Sequence, residues 1–429
     1  MHILFLTPSF PPKIGGGERY AHMLATRLTR EGHCVTVITG DAQREDDFWR
    51  PQKPGPVTET QEGMLRVIRC PMAGLPGGFA ALSLWRKAMI VRSALPGPQI
   101  AQLEQMARRV PHIPALADAL ATLGETPDLV HAFNLSWEYP LIEARRYAAQ
   151  HDLPLVVTPF YHPGTERRDR VALNHTMAHQ RRVLSEADAV TTLTDIERRH
   201  LLELGLSPER VHVLGSGIDV PAITSDDKEE AAPDDLAQPL VLFIGRVGHD
   251  KGALHAAEAV RALNDRGTHA TLALVGPTAP EFKRYHRRLP IAERAFIRPL
   301  GVVDEDTKQH LLSRSRALVL PSRVESFGLV FLEAWSHGVP VIGARAGGIP
   351  DVIDHGVNGF LVDYGDVAAL AAHLHMLLED RPLATRMGER GRQKLTAVYT
   401  WDTVCERLLT LYRQVLIRRG HRPSTGENG

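Results

Sequence analysis

PLVLFIGRVGHDKG, residues 239–252, runs from an apolar stretch directly into glycines and two cations, Arg246 and Lys251. Its first seven residues have the length and composition of a buried strand, and a helical pattern follows the glycine at 252. The stretch restarts an alternation that already fills the first half of the chain. There ILFL (3–6) reads as a strand, and Ala21, Leu24, Ala25 and Leu28 then recur on one face of a helix that Gly32 ends. CVTVIT (34–39) follows as a second buried strand.

Further strands of the first half are expected at LRVIR (65–69), DLVHAF (128–133), PLVVTPF (154–160) and AVTTLT (189–194). In the second half they are expected at ATLALVG (270–276), ALVLPS (317–322), PVIGA (340–344) and GFLV (359–362). Short apolar runs alternating with helices imply right-handed βαβ units and parallel sheets covered on both faces. The acidic, proline-containing segment 222–238 reads as a surface linker or loop between the halves. The reading is an α/β protein of two Rossmann-like domains facing across a cleft. Their spans are 1–215 and 216–399, with a helix at 400–420 and a tail at 421–429. In that helix Val404, Leu408, Leu411 and Val415 share one stripe. Residues 72–117, rich in proline and glycine, fit no such pattern.

Composition narrows the function. With 429 residues, two domains are the natural expectation, and 50 basic residues balance 50 acidic ones. No net field favours nucleic acid or an anionic membrane. Three separated cysteines, Cys34, Cys70 and Cys405, form no CxxC pair, which fits a reducing cytoplasm. MHILFLTPSFPP (1–12) has no cationic leader, and no run of about 18 apolar residues suggests a membrane span.

Four glycine-containing loops follow strands, where an α/β sheet binds ligands. KIGGGERY (13–20) lets Gly16 and Gly17 approach a ligand closely at a helix start. In FIGRVGHDKG (243–252), Arg246 and Lys251 suit a pyrophosphate. In SRVESFGLVFLEAW (322–335), Glu325 is expected in a loop and Glu333 on the second turn of a helix opening near Gly328. The N–H groups of Phe327, Gly328 and Leu329 then face an anion. A glutamate in so apolar a helix needs a partner when buried. RAGGIPDVI (345–353) is a fourth turn at the same end of the sheet.

Three other signals read as structural. DED (304–306) has the form of a divalent-metal motif, yet precedes a helical stretch that acidic residues would cap. His175 and His179 have the i, i+4 spacing of zinc ligands, but Thr176 stands where a zinc protease carries glutamate, so a polar helix face is expected. FAALSLWRKAMIVRSAL (79–95) spreads Arg86, Lys87 and Arg92 around the helical wheel, so packing as a lid or at the acceptor is expected before membrane contact.

Taken together, the chain resembles the retaining GT-B glycosyltransferases, most closely glycosyltransferase family 4, over nearly its whole length. FIGRVGHDKG, LVGP, PSRVESFGLVFLEAWSHGVPVI and GGIPDVIDHGVNGFLV come in that family's order, and ESFGLVFLE matches its E-x7-E signature. The resemblance implies that Arg246 and Lys251 bind and neutralise the departing pyrophosphate. It places Glu325 on the donor sugar, Glu333 on the ribose and the main chain of Phe327, Gly328 and Leu329 on the phosphates. Gly16 and Gly17 would approach from the opposite domain, and the final helix would cross back to the N-terminal domain. The family's His-x-His pair is broken here: VHAFN has His131 but Phe133 at the second place. His162, in TPFYHPG, is the better candidate for the sugar or acceptor side and for a catalytic part, and His131 is a further candidate for that side alone.

The implied reaction is a metal-independent, front-face transfer from a nucleoside-diphosphate sugar to a sugar, lipid or small-molecule acceptor. No cofactor, metal or nucleic acid is expected. The expected place is the cytoplasm, with peripheral contact on the inner face of the membrane open. Four rivals stand beside it. A glycosidase needs carboxylates flanking one bond. A dinucleotide oxidoreductase needs GxGxxG, which neither half has. A GT-B nucleotide-sugar epimerase or a non-catalytic scaffold shares the fold.

Overall fold

The computed structural model describes residues 1–12, 15–97, 99–161, 170–220 and 238–421. His162 and, save Gln238, the expected linker 222–238 lie outside the described residues, as do the last eight residues of the tail. The chain divides into two compact units, Met1–Gly215 with Val404–Gly429, and Ser216–Thr403.

The first unit is built on strands β1 (His2–Thr7), β2 (Cys34–Gly40), β3 (Thr58–Glu62), β4 (Leu65–Cys70), β5 (Leu129–Phe133), β6 (Leu155–Thr158), β7 (Ala189–Thr192) and β8 (Val211–Val213). They form one sheet in the order β3-β4-β2-β1-β5-β6-β7-β8. Every pairing is parallel except β3 with β4, which is antiparallel. Ile3, Leu4, Phe5 and Leu6 of β1 are fully buried, as expected of a central strand covered on both faces. The helix Gly16–Arg30 buries Ala21, Leu24, Ala25 and Leu28, the stripe seen in the sequence.

The second unit holds β9 (Leu240–Ile244), β10 (Thr271–Val275), β11 (Ile297–Gly301), β12 (Ser315–Leu320), β13 (Val341–Ala344) and β14 (Gly359–Val362). Their order is β11-β10-β9-β12-β13-β14, all parallel. The expectation of wholly parallel sheets is thus corrected at β3 alone.

The helix Trp401–Arg418 begins in the second unit and continues in the first, where Val404, Leu408, Leu411 and Val415 are buried. Arg419, just beyond it, pairs with Asp188 at 2.7 Å. The unpatterned segment 72–117 contains two helices, Gly78–Ala94 and Gln99–Ala107, and the start of a third, Leu116–Ala121. In the first of these Arg86 turns inward to Glu138 at 2.7 Å, and Arg92 bonds Gln102 at 2.5 Å. Two of the three cations that broke the apolar stripe are therefore bonded within the protein, while Lys87 is exposed. Phe79, Leu84, Val91 and Leu95 remain exposed.

Candidate functional site

Three adjacent strands of the second unit, β9, β12 and β13, deliver their following loops side by side. The backbone knits these loops together. Arg323 N–H donates to Asp250 O at 2.8 Å, and Gly348 N–H donates to Glu325 O at 2.9 Å. Two glycines make the approach possible. Gly252 has φ +76°, and a Cβ there would stand 2.1 Å from Pro321 O. Gly347 has φ +55°, and its Cβ would stand 1.9 Å from Glu325 O. No side chain fits in either place.

On this scaffold Lys251 Nζ donates to Glu325 Oε2 at 2.7 Å and to Val324 O at 3.3 Å. Arg246 is exposed on the same loop and makes no ion pair among the described residues. Gly328, at φ +85°, turns the chain into the helix Leu329–Ser336. Glu325 thus sits in the loop and Glu333 within the helix, as the sequence suggested. Phe327 is buried with its ring edge-on to Tyr399, so only its main chain is free to serve a ligand.

Glu333 is buried at 8% exposure. Its Oε1 accepts from Lys308 Nζ at 3.1 Å, while its Oε2 is buried with no hydrogen-bond partner among the described residues. Leaving a carboxylate oxygen buried and unpaired is costly, so this atom can accept a further hydrogen bond. Lys308, which also pairs with Glu305 at 3.0 Å, was not foreseen. It lies 25 residues before its partner on a different helix, and no local motif marks it.

The glycines of the first unit behave differently. Gly15 caps the helix Gly16–Arg30, and a Cβ on Gly16 would meet nothing within 4 Å. A Cβ on Gly17 would come within 3.0 Å of the Phe160 ring, itself held at φ +47°. The Glu18 carboxylate folds back toward Gly15 and accepts from Ser9 Oγ. A negative group therefore already faces this helix start.

His131 corrects the expectation that it lines the sugar or acceptor side. It is fully buried, with Nδ1 at 2.5 Å from Tyr412 Oη and Nε2 at 2.8 Å from Thr158 Oγ1. Both ring nitrogens are taken, and burial pushes its pKa down to about 3. Phe133 is equally buried and stacks on His131 at 4.1 Å, so it too is core.

His175 and His179 are also corrected. They lie on two helices, Arg170–His175 and Ala178–Glu186, and both are buried, not on a polar face. His179 Nε2 meets Glu138 Oε1 at 3.1 Å and His175 Nε2 meets Ser136 Oγ at 2.7 Å. Together with Arg86 they hold the turn after β5. Asp304 caps the helix Glu305–Arg314, accepting from Thr307 N–H at 2.8 Å. The Thr307 hydroxyl first, and then this backbone bond, hold its carboxyl below the usual range. Among the described residues no three His, Cys, Asp or Glu side chains stand together as a metal donor set. No described helix is long and apolar enough to cross a membrane.

Comparison with known proteins bears on both units. Residues 224–394 match the family "Glycosyl transferases group 1", and residues 15–217 match "Glycosyl transferase 4-like domain". The chain is 28% identical to glycogen synthase of Mycobacterium tuberculosis over 98% of this chain and 96% of that one. It is 30% identical to D-inositol 3-phosphate glycosyltransferase 1 of Catenulispora acidiphila, over 67% of this chain and 72% of the relative. Among solved structures, Anabaena HepE in complex with UDP-glucose superposes with a TM-score of 0.65 at 19% identity, covering 96% of this chain and all of that one (100%). The likeness in structure is one of fold.

Proposed function

The chain belongs to the glycosyl transferases group 1 family and is a glycosyltransferase of the family 4, GT-B type; on that premise we propose that it moves a sugar from a nucleoside diphosphate to an acceptor hydroxyl with retention of configuration and without a metal. The observation that carries the reading is the separate pairing of the two glutamates. Glu325 is held by Lys251 at 2.7 Å, and Glu333 is held by Lys308 at 3.1 Å. Each carboxylate is tied to its own cation on a separate element, unlike the facing pair of an acid/base couple. They act as two clamps on one elongated donor, Glu325 at the sugar and Glu333 at the ribose through its vacant oxygen. The complex of HepE with UDP-glucose, a protein of the same fold, makes a uridine diphosphate sugar the first donor to try.

In the reaction the bond from the anomeric carbon to the diphosphate oxygen breaks, and the acceptor oxygen bonds to that carbon from the same face. The acceptor proton passes to an oxygen of the departing diphosphate. Arg246 and Lys251, with the N–H groups of Phe327, Gly328 and Leu329, neutralise the charge that develops on the leaving group. Supplying that charge from fixed side chains removes the need for a cation. The test is nucleoside diphosphate release from a panel of nucleotide sugars, with and without a chelator, and NMR of the product's anomeric configuration. An inverted product, or release that chelator abolishes, would refute the corresponding half of the proposal. Release from no donor would favour a binding scaffold.

A further inference from the structure

We propose that the face carried by the helix Pro280–Arg288 and the turn through Ile291 docks on an anionic lipid bilayer surface. The whole chain is charge-balanced, yet residues 283–298 hold six cations, Lys283, Arg284, Arg287, Arg288, Arg294 and Arg298, against one acid, Glu293. That acid is already engaged by Arg261 of the helix Ala253–Asn264. Glu281, three residues before Arg284, lies instead against Gly248. The Arg294 guanidinium is spent on the carbonyls of Leu289 and Arg287, at 2.9 and 2.7 Å. Lys283, Arg284, Arg287, Arg288 and Arg298 are exposed and make no ion pair among the described residues.

Ordinary structural roles explain part of this set. Arg287 and Arg288 complement the negative end of their helix. Arg298 sits on the edge strand β11, where a cation deters pairing with other chains. Lys283 and Arg284 have neither excuse: they lie ahead of the helix's last turn and repel Arg287 and Arg288 at i, i+4. An anionic partner turns that repulsion into attraction.

The neighbouring side chains select the partner. Ile291 is 83% exposed, and Ala292 and Ala295 beside it are exposed as well. A projecting apolar residue flanked by cations suits the boundary between headgroups and acyl chains. Single-stranded nucleic acid would call for exposed rings to stack on. Here Phe282 is fully buried and Tyr285 and Phe296 are half-buried.

The test is cosedimentation of the full chain with vesicles of phosphatidylcholine alone and of phosphatidylcholine mixed with phosphatidylglycerol, across a salt series. Binding to the mixed vesicles only, weakening as salt rises, is expected. Each surface cation contributes about fivefold to such partitioning, so the double variant Lys283→Ala/Arg284→Ala binds about thirtyfold more weakly. Ile291→Ser weakens binding while leaving the salt dependence intact. A Leu84→Ser/Val91→Ser variant, on the exposed face of the helix Gly78–Ala94, binds as the parent does. The proposal is overturned by no binding at low salt, by equal binding to neutral vesicles, or by a double variant that binds like the parent. Displacement of the vesicles by a single-stranded oligonucleotide at matched charge would assign the face to nucleic acid instead. Circular dichroism melts of each variant separate lost binding from lost fold.

Discussion

Lys251 Nζ lies 2.7 Å from Glu325 Oε2 and so ties the loop after β9 to the loop after β12. The pair is partly exposed, and such pairs contribute about 1 kcal/mol or less to stability. On the proposed reading the Lys251 ammonium serves the leaving diphosphate more than the fold. Lys251→Ala should therefore change the melting temperature little and reduce diphosphate release by about 100-fold to 1,000-fold, the usual cost of removing one such group. A large loss of stability in the variant would make Lys251 a structural residue.

Glu333 allows a cleaner division. Lys308 keeps Glu305 at 3.0 Å when Glu333 loses its charge, so Glu333→Gln leaves no buried cation unpaired. A hydrogen bond between a charged group and a ribose hydroxyl contributes about 1.5–3 kcal/mol. On the proposed reading that bond is present before and during transfer. KM for the nucleotide sugar should rise about tenfold or more with kcat unchanged. Equal losses in kcat and kcat/KM would place Glu333 at the reacting centre.

The close backbone approach beneath Glu325 makes Gly347 sensitive. An alanine there meets Glu325 O at 1.9 Å and must keep φ +55°. The left-handed backbone alone costs about 1–2 kcal/mol for a residue with a Cβ. Gly347→Ala should lower the melting temperature and abolish release even where the protein stays folded, because Glu325 is displaced. Gly16→Ala, with open space at its Cβ, should fold normally. Calorimetry beside the release assay distinguishes them.

His131 gives a pH signature. Its pKa is about 6.5 when unfolded and about 3 when folded, held down by burial. Below pH 6.5 the unfolded chain therefore binds more protons, and stability falls as pH falls toward 3. The slope approaches about 1.4 kcal/mol per pH unit within that window. Denaturant unfolding at pH 7, 6 and 5 should show a shallower decline in His131→Leu/Tyr412→Phe than in the parent. Removing Tyr412's hydroxyl as well avoids leaving it buried without its partner. Parallel declines would mean that His131 does not titrate on unfolding.

The strands that escaped sequence reading share a position. β3, β8 and β11 are edge strands, and their residues TETQE, VHV and IRPLG carry little of the apolar signal that burial on both faces imposes. Central strands such as β1 and β9 were plain because every residue from Ile3 to Leu6 and from Leu240 to Phe243 is buried. The loop-to-helix placement of Glu325 and Glu333 was equally legible, since a glycine, a strand end and an apolar helix lie within one stretch. Lys308, Arg86 and Glu138 were not, because each acts on a partner 25 or more residues away.

The order of strands and helices, the glycine turns at strand ends and the alternation that makes two α/β units were set by local pattern alone. Burial imposes a period on neighbouring residues, and glycine marks backbone that other residues cannot follow. Which of the described histidines are sealed in the core was decided only by the tertiary structure. His131, in a motif position, is sealed between Tyr412 and Thr158, while Arg86 turns inward to Glu138 and leaves Leu84 and Val91 of its helix exposed. Hydrogen-bond partners distant in sequence settle a polar side chain's direction, and no local period records them.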